Sequence, residues 1–176
     1  MRIIAGSRKG HTISAPSGRG TRPTADRVRE NVFNIVAPWV EDAQVLDLFA
    51  GSGAMGLEAL SRGAGRAVLV EEDGRACRAI NANLDKLRLT GAEVVCRDVA
   101  AFVASDSRRY DLVFCDPPYG EYATFEPVLA RYAPRLLAAD GLLVLETSSR
   151  EPEPELPLAK RTSRRYGAAR ITLFEP

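Results

Sequence analysis

Val45-Leu-Asp-Leu-Phe-Ala-Gly-Ser-Gly-Ala-Met-Gly56 is an apolar strand that runs into a glycine turn and the start of a helix. Gly51, Gly53 and Gly56 satisfy the GxGxxG spacing, and Glu71 closes the next apolar run 20 residues after Gly51. Taken alone, that pattern fits a dinucleotide site. Asp47 separates the candidates. A pyrophosphate lies against a helix N-terminus, where exposed N–H groups and the dipole favour an anion. A carboxylate at the tip of the preceding strand repels such a ligand.

S-adenosylmethionine has no phosphate and carries two cationic groups, a sulfonium and an α-ammonium, so an acid beside the turn suits it. Glu71 can accept hydrogen bonds from ribose hydroxyls, and Asp98, just past the third strand, is placed to accept from an adenine amino group. Gly51 and Gly53 shape the turn against the cofactor, with Phe49 beside them. The acids would line one ligand at the carboxyl edge of a sheet, where open α/β sheets bind ligands. The competing role for each acid is a helix cap, which is the reading for Asp73.

The surrounding chain has the periodicity such a sheet needs. Apolar runs at 45–49, 67–71, 93–97, 111–115 and 141–147 alternate with helical patterns at 54–63, 75–89, 99–105 and 124–138. That alternation predicts an α/β domain with a parallel sheet covered on both faces, doubly wound and Rossmann-like. Runs near 159–165 and 169–174, split by Tyr166-Gly167, predict a closing antiparallel hairpin. Upstream, residues 2–5 and 11–14 read as two short strands around a Gly6–Gly10 turn. Thr24 can cap a helix carrying Val28, Val32, Ile35 and Val36 and ending near Pro38.

The fourth strand ends in Asp116-Pro-Pro-Tyr119. Consecutive prolines donate no backbone hydrogen bonds, so carbonyls are the partners on offer. An exocyclic amine on a nucleobase has two N–H donors and a lone pair delocalised into the ring. The Asp116 carboxylate, with the carbonyl of Asp116 or Pro117, can accept both hydrogens and pull nitrogen towards tetrahedral geometry. Tyr119 would stack on a flipped base, and Asp116, Pro117, Pro118 and Tyr119 are the candidate catalytic residues. A Pro-Pro turn with a core tyrosine is the alternative.

Composition narrows the class. At 176 residues, 45% apolar and 27% charged, the chain reads as one ordinary globular domain. No stretch approaches the ~18 apolar residues of a membrane helix. The N-terminus reaches Arg8-Lys9 too early for an export signal, which points to the cytoplasm. Cys77, Cys96 and Cys115 suggest neither a disulfide framework nor a zinc site and read as buried structural thiols. The single histidine, His11, excludes HExxH sites. No metal is expected, and no apolar stripe calls for a dimer, so a monomer is expected. Residues 1–29 hold seven basic residues and one acid, a local +6, which leaves the remainder at −5. A basic arm on a mildly acidic body suits a polyanion, and Lys160-Arg161 with Arg164-Arg165 tilts the reading towards nucleic acid.

These motifs resemble the class I S-adenosylmethionine-dependent methyltransferases acting on exocyclic amines. Met1-Arg-Ile-Ile-Ala-Gly6, Arg22-Pro-Thr-Ala-Asp-Arg-Val-Arg-Glu-Asn-Val-Phe33 and the short length narrow the resemblance to RsmD-type bacterial enzymes, which modify a guanine amino group in 16S ribosomal RNA. The resemblance runs nearly end to end. It implies a seven-stranded, mostly parallel sheet with a reversed last strand, preceded by an RNA-binding β-hairpin extension (1–20) on the methyltransferase domain (21–176). It also implies that Arg2, Arg8, Lys9, His11, Arg19 and Arg22 help hold RNA, and that the RNA is partly assembled with ribosomal proteins. Arg22 and Thr24 would help shape a cofactor lid. A DNA adenine methyltransferase fits Asp-Pro-Pro-Tyr equally well, though no separate target-recognition domain is visible. An RNA-binding module that has lost catalysis and a nicotinamide oxidoreductase are the other readings.

Overall fold

The computed structural model describes residues 1–15, 23–118 and 120–176. Arg19, Arg22, Tyr119 and the expected domain boundary at residue 20 lie outside the described residues. The strands are β1 (Gln44–Leu48), β2 (Arg66–Glu71), β3 (Ala92–Cys96), β4 (Tyr110–Cys115), β5 (Leu137–Ser148), β6 (Ala159–Tyr166) and β7 (Ala169–Glu175). They form one sheet in the order β3-β2-β1-β4-β5-β7-β6. The first five are parallel, and β7 lies antiparallel to both β5 and β6. The parallel set with a reversed seventh strand is the arrangement expected from the sequence.

Helices cover both faces. α1 (Pro23–Val36), α2 (Ala54–Ser61) and α3 (Gly74–Leu87) share one core with alternate strand residues such as Val45, Leu69, Phe114 and Val144. α4 (Val99–Ser105) and α5 (Tyr122–Leu136) pack on the other face against Leu46, Leu48, Val113 and Leu145. The central strands are buried on both sides, which is why they read as near-continuous apolar runs, with Asp47 a buried acid inside β1. No helix among the described residues is long and apolar enough to cross a membrane.

Several boundaries differ from the sequence expectation. α1 begins at Pro23, so Thr24 stands inside the helix, and the fixed φ of proline suits that first position. β5 begins at Leu137, directly on the end of α5, where the periodicity predicts helix to residue 138. Its pairing with β4 shifts between Tyr110 and Leu112. Gly141 fits there because a Cβ would stand 2.8 Å from the Tyr110 carbonyl oxygen.

The N-terminal segment departs most. Two strands are expected, yet only one antiparallel bridge forms, Arg2 to Thr12, with a 3-10 turn over Gly6–Arg8. The reason is competition for the backbone. The amides of Ile4 and Ala5 donate to the Glu58 carboxylate at 2.8 and 3.0 Å, and the Ser61 hydroxyl donates to the Ala5 carbonyl at 2.6 Å. Gly6, at φ +81°, approaches α2 so closely that a Cβ would stand 1.8 Å from the Ser61 carbonyl oxygen. Glu58 is fully buried and also pairs with Arg62 at 2.7 Å. Ile3 and Ile13 join the α1–α3 core, so residues 1–15 form a layer of the body.

Removing Glu58 leaves two amide donors and the Arg62 guanidinium without their acceptor. Glu58→Ala should destabilise the protein by about 3–5 kcal/mol in chemical denaturation, the usual cost of breaking a buried charged network from one side.

Candidate active site

Four carboxylates gather at the carboxyl ends of adjacent strands through one alternation. Each stands two residues after a core residue: Val45 and Asp47 on β1, Leu69 and Glu71 on β2, Phe114 and Asp116 after β4, Val144 and Glu146 on β5. Side chains two apart share a sheet face, so all four belong to the α1–α3 side. Leu48 is opposite both Val70 and Cys115, and Cys115 is opposite Leu145, so the register sets Glu71, Asp116 and Glu146 level and Asp47 one alternation deeper, opposite Leu69 and Phe114. The crossover between β1 and β4, where successive connections leave to opposite sides, is where open α/β sheets hold ligands.

The glycine turn is held by two of these acids. Asp47 Oδ2 accepts the Gly56 N–H at 2.9 Å, and Glu71 Oε2 accepts the Gly51 N–H at 2.7 Å. Glu71 Oε1 accepts the Asp73 N–H at 2.9 Å. Gly53 stands immediately before α2 at φ +77°, a left-handed conformation that glycine reaches without strain. Two amides of the turn, those of Gly51 and Gly56, are therefore occupied by the protein's own carboxylates. Burial pushes the Asp47 carboxyl up to about 7, with the charges of Asp116 and Glu71 adding to it.

Phe49 sits in the turn at φ +61° with its ring edge-on to Phe125, centroids 4.9 Å apart. Asp98 is exposed and caps α4, accepting the Ala101 N–H at 2.7 Å through Oδ1. It thus fills the cap role that the sequence left open. Asp73 caps α3, as expected. Asp116 is exposed beyond β4, Pro117 is buried behind it, and the Pro118 carbonyl accepts the Glu121 N–H at 3.0 Å.

Glu146 is the residue that sequence reasoning missed. Burial, and then the nearby Asp116 charge, push its carboxyl up to about 8. The signal was present: an acid stands near the end of the fifth apolar run as acids end the others. The expectation of buried thiols fails at Cys96, which is exposed at the end of edge strand β3, whereas Cys77 and Cys115 are buried. The Cys77 thiol contacts Cys96, and burial pushes it up to about 12.

The basic residues of the N-terminus divide in two. The Arg8 guanidinium is committed to the end of α3, donating to the carbonyls of Leu87 and Arg88. Arg2 and Lys9 are exposed and, with Asp26, Arg27 and Glu30, line a groove of about 410 Å³ between the N-terminal turn and α1. His11 is exposed, its Nδ1 3.0 Å from the Arg8 carbonyl oxygen.

A seven-stranded sheet in this order, with one reversed strand and a glycine turn after β1, is the fold of the class I S-adenosylmethionine-dependent methyltransferases. Residues 1–175 match the family model described as Conserved hypothetical protein 95, and the chain belongs to that family. Ribosomal RNA small subunit methyltransferase D of Escherichia coli (strain K12) is 40% identical over 157 residues, 89% of this chain and 79% of that protein. A solved structure from Escherichia coli is 37% identical and superposes with a TM-score of 0.85 over 99% of this chain and 96% of the other. A solved structure from Thermus thermophilus, 34% identical, gives 0.84 over 100% and 99%.

The raised carboxyls set a pH dependence. Asp47 rises from 3.8 to about 7 on folding and Glu146 from 4.5 to about 8, so the folded chain holds these protons more tightly than the unfolded one. Their stabilisation is full below about pH 4 and is lost as pH rises through 7 and 8. The thermal midpoint of the ligand-free protein should fall across that window. Asp47→Asn should flatten the fall and match or exceed the parent at pH 8, read by circular dichroism.

Proposed function

We propose that this protein transfers a methyl group from S-adenosylmethionine to the exocyclic N2 amine of a guanine in 16S ribosomal RNA. The observation that carries the cofactor assignment is the occupation of the glycine-turn amides by Asp47 and Glu71. A phosphate ligand would meet two buried carboxylates there, whereas a cationic one relieves their desolvation. The donor set fits S-adenosylmethionine, with Asp47 facing the cationic end, Glu71 the ribose, Asp98 the adenine amine, and Phe49, Gly51 and Gly53 shaping the wall. When bound, the cofactor supplies an electrophilic methyl group on a sulfonium.

The remaining chemistry belongs to the chain. Asp116 and the carbonyl of Asp116 or Pro117 accept the two amine hydrogens, and the prolines hold those acceptors rigid. Tyr119 stacks on the base. Asp116 or water takes the proton released after attack. Acceleration comes mainly from positioning and electrostatics. The ribosomal RNA substrate is supported by the named activity of the relative from Escherichia coli and by the groove in which Arg2, Lys9 and Arg27 outnumber Asp26 and Glu30. The substrate is a partly assembled small subunit, and the enzyme acts as a cytoplasmic monomer whose exposed N-terminal cations, Arg2 and Lys9, help hold the RNA.

Labelled-methyl transfer to small ribosomal subunits, followed by nucleoside analysis, tests the assignment. N2-methylguanosine is expected; label found only in duplex DNA, or N6-methyladenine, would overturn it. Asp116→Ala should abolish turnover with cofactor affinity nearly intact in calorimetry. Cofactor affinity should rise with pH through about 7 as Asp47 ionises, and Asp47→Asn should remove that rise. Deleting the N-terminus would strip Ile3 and Ile13 from the core, so charge reversal is the cleaner probe of the groove. Arg2→Glu with Lys9→Glu should reduce the salt slope of RNA binding by about 1–2.

A further inference from the structure

We propose that Arg164 and Arg165, at the end of β6, grip the phosphate backbone of the RNA strand flanking the base held at Asp116. This rests on the ribosomal RNA reading above and adds a second contact surface, separate from the N-terminal groove.

Position is the first argument. β6 is antiparallel to β7, which is antiparallel to β5, so β6 ends at the same sheet edge as the carboxylates. Ile171 pairs with Glu146 on one side and Arg164 on the other. Paired residues share a face, so Arg164 stands in one lateral row with Glu146 and Asp116. At about 4.8 Å per strand, Arg164 is about 10 Å from Glu146 and about 14 Å from Asp116 along the sheet. A nucleic-acid strand covers that distance in about two to four nucleotides.

Charge is the second. On the same strand Lys160 is paired with Glu153 at 2.9 Å, and Arg161 with Glu175 while lying over Trp39. Arg164 and Arg165 are exposed, with no side-chain partner among the described residues. Being adjacent, they point to opposite faces of the edge strand, so a polyanion crossing the edge meets both. Exposed Arg150 follows the end of β5 at the same edge. Edge strands also carry charges merely to block pairing with other chains. That role would place them anywhere along β6; here the two unneutralised arginines stand at the end level with the acids.

The test is the double variant Arg164→Glu with Arg165→Glu in the full chain, beside Lys160→Gln as a control on the same strand. RNA affinity is read by fluorescence anisotropy on a 16S ribosomal RNA fragment at several salt concentrations, alongside methyl transfer to small subunits and sedimentation. Expected are at least tenfold weaker RNA binding, a salt slope reduced by about 1–2, a matching rise in KM, unchanged cofactor affinity, and no effect of Lys160→Gln. RNA affinity and slope equal to the parent's, or a change confined to aggregation, would overturn the proposal. Binding is read apart from turnover. Arginine-dependent binding without methyl transfer by the parent protein therefore supports the surface and counts against the enzyme reading alone.

Discussion

The site depends on two buried carboxylates that occupy the amides of their own glycine turn. Asp47 and Glu71 take the Gly56 and Gly51 N–H groups, which inverts the usual electrostatics of a helix N-terminus after a βα turn. A place that ordinarily attracts anions becomes one that presents negative charge. Each contact satisfies a backbone donor of the turn. Burial still leaves the charge poorly compensated, as the raised Asp47 carboxyl records. That residual cost is what a cation placed beside Asp47 would offset.

A second buried acid links this turn to the basic end of the chain. α2 starts from the glycine turn, and four residues into it Glu58 faces inward to hold the Ile4 and Ala5 amides. One short helix therefore fixes both the acidic edge and the groove lined by Arg2 and Lys9. Arg8, the most conspicuous cation of the arm, serves this seating by closing the carbonyl end of α3. Binding a polyanion near an acidic site needs this separation, because the repulsive and attractive surfaces must be held at set distances.

Much of the fold was legible because its strands are buried on both faces and its helices on one, which writes distinct periods into the chain. The acids at 47, 71 and 116 were legible because a charge that closes an apolar run is costly to bury unless it meets a backbone donor or a ligand. Glu146 escaped because it stands inside the run at 141–147, ahead of Thr147, and so does not read as an acid that closes a strand. The N-terminal strands were overread. Local alternation at 2–5 and 11–14 says nothing about a carboxylate more than 50 residues away that claims the same amides.

The amino-acid sequence by itself determined the parallel sheet, the glycine turn and the acids at the strand ends, all carried by periodicity and by residues whose chemistry is local. Tertiary structure alone decided which acids become neighbours, which cations remain exposed, and which amides are left for strand pairing. Those outcomes follow from register and from competition between distant groups for the same hydrogen bonds, and neither is encoded in any short stretch of chain.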